Sequence, residues 1–76
     1  MKRNQVIDRT WLERARREKG FTQEQVAEAA KITTAGYNRI EKGLFTPGIV
    51  TGLLICDKLG ISPRQFLAER PIGYAK

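Results

Sequence analysis

Histidine is absent from this 76-residue chain, cysteine occurs once, at Cys56, and serine once, at Ser62. A lone thiol closes no internal disulfide, and without histidine the usual Cys/His zinc sets cannot be assembled. The commonest general acid–base is missing too. Ser62 stands directly before Pro63, at a helix start, with nothing beside it resembling a base. These gaps argue against an enzyme and imply no metal and no cofactor. Long apolar runs are also lacking: none approaches the roughly 18 residues needed to cross a bilayer. The basic opening Met1-Lys2-Arg3-Asn4 is not followed by an apolar stretch of signal-peptide type. The expectation is a cytoplasmic protein with no membrane role and no evident small-molecule ligand.

What is present is positive charge and regular punctuation. Lys and Arg number 14 against 8 Asp and Glu, a net charge of +6. In so small a chain that suggests either a nucleic acid or an anionic membrane as partner, unless the charge serves only solubility. Hydrophobic residues make up 41%, enough for one core and too many for a disordered tail. Gly20, Gly43 and Gly60 each follow a stretch of helical pattern, and Thr22, Thr33, Thr46 and Ser62 restart the chain as caps. Thr22-Gln23-Glu24-Gln25 and Ser62-Pro63-Arg64-Gln65 both fit a capping box.

This punctuation predicts an all-α domain of five short helices with a core over about 8–69. The first starts at Asp8 or Thr10 and ends near Lys19, with Trp11, Leu12 and Ala15 turned inward. The second spans about 23–30, burying Val26, Ala27 and Ala30, and the third about 34–42, burying Tyr37 and Ile40. The fourth, about 47–59, carries Ile49, Leu53, Cys56 and Leu59 at helical spacing as its core stripe. The fifth covers about 63–69, with Phe66 and Leu67. No segment alternates with period two, and residues 1–7 and 71–76 read as loosely held ends.

Residues 23–42 sharpen the picture. Two helices of similar length are joined by a short link around Lys31-Ile32-Thr33, with small Ala27 where they would cross. That is the physical requirement of a helix-turn-helix. The stretch from about 11 to 67 resembles the phage Cro/repressor-type helix-turn-helix family of Xre-like transcriptional regulators. The likeness is carried by Arg16-Arg17-Glu18-Lys19-Gly20-Phe21-Thr22-Gln23-Glu24-Gln25-Val26-Ala27, Asn38-Arg39-Ile40-Glu41-Lys42-Gly43, Pro47 and Leu59-Gly60-Ile61-Ser62.

The resemblance implies a lambda-repressor-like fold that places the third helix in the major groove of double-stranded DNA. By position, Gln23 corresponds to a phosphate anchor, Thr33 to the cap of the recognition helix, and Thr34, Ala35, Asn38 and Arg39 to residues facing base edges. Thr and Ala suit a thymine methyl, Asn an adenine and Arg a guanine. Lys42 and the loop to Thr46 correspond to backbone contacts. Arg16 and Glu41 match a structural ion pair tying the first helix to the third. The chain departs from the family at Lys31, which stands where glycine is frequent and faces φ > 0 there, at Gly36 inside the recognition helix, and at Tyr37.

Sequence-specific DNA binding, as a repressor, is the function this implies. The rival is a helix-turn-helix interaction module, or subunit of a larger complex, that reads no DNA; the retention of Gln23, Arg39 and Lys42 argues against it. One short reading helix makes few base contacts, so a homodimer on a palindromic operator is expected. Val50 and Leu54 lie four apart on the flank of the fourth helix. Either they widen the core stripe, or with Phe66, Ile72 and Tyr74 they form a dimer interface.

Overall fold

The computed structural model describes residues 5–69 and 71–74. Its elements run β1 (Gln5–Ile7), α1 (Thr10–Glu18), α2 (Gln23–Ala29), α3 (Thr34–Glu41), α4 (Ile49–Leu59), α5 (Arg64–Leu67) and β2 (Pro71–Tyr74). Leu12, Val26, Ala27, Ala30, Tyr37, Ile40, Ile55 and Leu59 form the core, with Trp11, Phe21, Ile32, Leu54 and Phe66 packed around it.

Local chemistry explains most boundaries. Thr22 caps α2 with a complete capping box, its hydroxyl accepting from the Gln25 N–H at 3.1 Å while the Gln25 amide oxygen accepts from the Thr22 N–H at 2.8 Å. Asp8 receives both the N–H and the hydroxyl of Thr10, so the carboxylate steadies the start of α1, and these two bonds hold its pKa below the ordinary carboxylate range. At the far end of α2, the Ile32 N–H reaches the Ala27 carbonyl and the Lys31 N–H the Glu28 carbonyl, a Schellman closure. The residue that turns the chain there is Lys31, at φ +60°. Its left-handed backbone is the strain foreseen at this position.

Four features correct the sequence reading. Residues 5–7 and 71–74, expected to belong to loose ends, are paired: β1 runs antiparallel to β2, Gln5 opposite Tyr74 and Val6 opposite Gly73, with an irregularity before Ile7. Segments of three and four residues are too short to show alternation. Helix α4 begins at Ile49 with Gly48 as its cap, two residues later than Pro47 suggested. It is also rotated: Gly52, Ile55, Cys56 and Leu59 face the core, whereas Ile49 is 80% exposed and Leu53 48%. Finally, among the described residues the Ser62 hydroxyl accepts only from the Arg64 N–H, and α5 starts without a side-chain cap.

Candidate nucleic-acid interface

Helix α3 has two distinct faces. Tyr37, Ile40 and Glu41 are buried, and Thr34, Ala35, Arg39 and Lys42 are exposed with Asn38 half-buried between them. Positions 34, 35, 38, 39 and 42 share one side of a helix by their spacing, so the five residues form a single outward strip. Thr33 opens the helix, its hydroxyl accepting from the Gly36 N–H at 3.0 Å. A methyl group on Gly36 would lie 3.1 Å from that same hydroxyl, so glycine leaves the cap unstrained.

The strip is locked to the rest of the protein by charge. The Arg16 guanidinium donates to both oxygens of Glu41, Nε to Oε2 at 2.8 Å and Nη2 to Oε1 at 2.9 Å. Its Nη1 donates to the Phe21 carbonyl at 2.9 Å, so one side chain joins α1, the α1–α2 turn and α3. Such a buried bidentate pair determines orientation more than it adds stability. Burial by itself would raise the Glu41 carboxyl, but hydrogen bonds from Arg16 and Gln23, the adjoining Tyr37 hydroxyl and the Arg16 charge outweigh it and hold the acid below its ordinary value. Hydrogen bonding to Glu41 conversely pushes Arg16 up. The Tyr37 hydroxyl is buried without a hydrogen-bond partner among the described residues, and burial strongly raises its pKa.

Gln23, at the first position of α2, is not a free surface amide. Its Nε2 donates to Glu41 Oε1 at 3.1 Å, and its Oε1 accepts from Asn38 Nδ2 at 3.1 Å. The structure thus brings Gln23, Asn38, Glu41 and Arg16 into one connected set. Thr46 lies apart from that set, in the loop before α4, where its hydroxyl accepts from Arg9 Nη2 at 3.1 Å.

Sequence reasoning missed Arg9 altogether. All five of its N–H groups are used: Nε and Nη2 to Glu69 at 2.6 and 3.0 Å, Nη1 to the Ile40 and Phe45 carbonyls at 2.8 and 2.6 Å, and Nη2 again to Thr46. Its cation lies 5.3 Å from the Phe66 ring centroid, and Trp11 Nε1 donates to the same Glu69 carboxylate. This knot holds the α3–α4 loop, and therefore the end of the exposed strip, against α1 and α5. A basic residue beside Asp8 carries no signal of partners 31 to 60 positions away.

Of the residues considered for a dimer surface, Val50 is exposed, while Leu54 leans on the core. Phe66 packs edge-on against Trp11, centroids 5.0 Å apart. Ile72 and Tyr74 belong to β2, and their side chains lie outside the described residues. Beyond Leu44 and Phe45 in the α3–α4 loop, open apolar surface runs along the first turns of α4 and onto α5. There Pro47, Ile49, Gly52, Leu53, Phe66 and Leu67 line a groove of about 310 Å³. Among the described residues, no helix is long and apolar enough to cross a membrane.

Known proteins share this architecture. Residues 12–66 match the family model described as helix-turn-helix. The HTH-type transcriptional regulator YqaF of Bacillus subtilis (strain 168) is 50% identical over 61 residues, covering 80% of each chain. Among solved structures, the restriction-modification controller protein C.AhdI of Aeromonas hydrophila superposes with a TM-score of 0.65 at 28% identity, over 71% of this chain and 82% of that one. The clp gene regulator ClgR of C. glutamicum gives 0.64 at 27% identity, over 74% and 73% of the two chains. With its helix pair, its exposed polar strip and these relatives, the chain belongs to the helix-turn-helix family and is a DNA-binding transcriptional regulator.

Proposed function

We propose that the protein is a cytoplasmic, non-catalytic repressor that binds a palindromic operator as a homodimer, with α3 in the major groove. Thr34, Ala35, Asn38 and Arg39 read base edges, and Gln23, Thr33, Thr46 and Lys42 hold the phosphate backbone. The observation that carries this reading is the exposed strip of α3, polar apart from Ala35 and held by the Arg16–Glu41 pair. Rigid presentation matters because misplaced donors and acceptors lose the pairing geometry of a base edge. The net charge of +6 supplies the attraction to phosphate. A small domain seated on promoter base pairs denies them to other proteins, which is the simplest route to repression.

Selection of bound sequences from a random duplex pool tests this directly. A palindrome with half-sites about one helical turn apart is expected. Arg39→Ala then costs roughly 1–3 kcal/mol on that operator and relaxes one or two base pairs. Equal affinity for every duplex in the pool would refute sequence reading.

A further inference from the structure

The hydrogen bonds around Gln23 have a polarity that reaches the reading surface. Both Glu41 oxygens face the Arg16 guanidinium, at 2.8 and 2.9 Å, and a carboxylate paired in this way only accepts. The Gln23 amide therefore turns its NH₂ toward Glu41 and its oxygen away, toward Asn38. Facing that oxygen, Asn38 in turn must present its own NH₂ to Gln23. Neither amide can flip without setting two acceptors or two donors against each other, a misfit far costlier than the bond itself. The Asn38 carbonyl oxygen and its second N–H remain, since its side chain makes no other hydrogen bond among the described residues. An acceptor beside a donor is the pattern that pairs the N6 and N7 edge of adenine.

We infer that Gln23 is a specificity-positioning residue: through Glu41 it sets the amide orientation of Asn38 and so makes Asn38 select adenine. This goes beyond a phosphate anchor, which carries no sequence information, and it rests on the proposal that α3 faces the bases. The two roles are compatible, because the Gln23 NH₂ uses one N–H on Glu41 and keeps one for a phosphate. They differ in what removal does. Loss of a phosphate contact weakens all duplexes alike, whereas loss of the orienting amide lets Asn38 turn either way and blurs one base pair.

The test measures Gln23→Ala, Asn38→Ala and the double variant against the selected operator and its single-base-pair variants, with helical content checked by circular dichroism. The expected result is an adenine preference of roughly five- to a hundred-fold at one position per half-site. Asn38→Ala and Gln23→Ala each abolish it at that same position, and the double variant loses no further discrimination there. Gln23→Ala also lowers affinity for all duplexes by a common factor. The inference is overturned if that common factor is the whole effect of Gln23→Ala. It is also overturned if Asn38→Ala leaves every preference intact while Thr34→Ala or Arg39→Ala does not. If none of the three α3 substitutions alters any preference, the placement of α3 against the bases fails, and the role of Gln23 falls with it.

Discussion

Two glycines with almost the same backbone differ sharply in what surrounds them. Gly20 and Gly43 end α1 and α3 at φ +76° and +78°. A Cβ on Gly20 would meet nothing within 4 Å, but on Gly43 it would fall 1.8 Å from the Ile7 carbonyl oxygen. The Ile7 N–H also donates to the Gly43 carbonyl at 3.0 Å, so β1 lies directly on this turn. Gly20→Ala should therefore cost only the left-handed backbone penalty, about 1–2 kcal/mol. Lys31 shows that the fold tolerates one such penalty already. Gly43→Ala must in addition drive the strand away, and its loss of stability should clearly exceed that of Gly20→Ala. Urea denaturation of the two variants side by side measures the difference; equal midpoints would mean that β1 does not press on the turn.

Elements held by local signals were legible in the sequence, and elements held by distant ones were not. The capping box at Thr22, the cap at Thr33 and the left-handed turn at Lys31 are decided within a few residues, and the helix-turn-helix was placed accordingly. The rotation of α4 escaped because its apolar residues occupy nearly every side. Ile49, Leu53, Cys56 and Leu59 have helical spacing, but so does the true core set, whose first member, Gly52, shows no hydrophobic signal. The exposed α3 strip was readable position by position, whereas the bonds linking Gln23 to Asn38 depend on how two helices cross. Arg9 lies at the extreme, with partners on α3, the following loop and the α5 side of the molecule. Removing a partner from such a buried pair typically costs about 3–5 kcal/mol, a large share of a small domain's stability. Arg9→Ala should melt far below the parent protein. Arg9→Lys should rescue little of the loss, since an ammonium offers three donors where five are used. A thermal melt of Arg9→Lys close to the parent curve would show that the guanidinium geometry is dispensable.

For the whole molecule, charge and apolar surface pull association in opposite directions. Two copies carrying +6 each repel one another, and the open apolar groove offers a contact to offset that repulsion. Ile49, Leu53 and Leu67 line it at 80%, 48% and 86% exposure, with Val50 beside them at 66%. If the groove joins the dimer, added salt screens the repulsion and strengthens self-association. The same salt weakens operator binding, by about 0.9 in the log–log slope for each neutralised phosphate. Sedimentation and DNA titration over a salt series should thus move in opposite senses. Leu53→Glu isolates the contact. Leu53 lies outside the core, so the substitution should leave the melt within about 0.5 kcal/mol of the parent, unlike one at Leu54, which packs against the core. The variant should sediment as a monomer at every salt concentration and bind the palindrome no more tightly than a single half-site. A Leu53→Glu protein that stays folded and dimeric would move the interface off the α4–α5 groove.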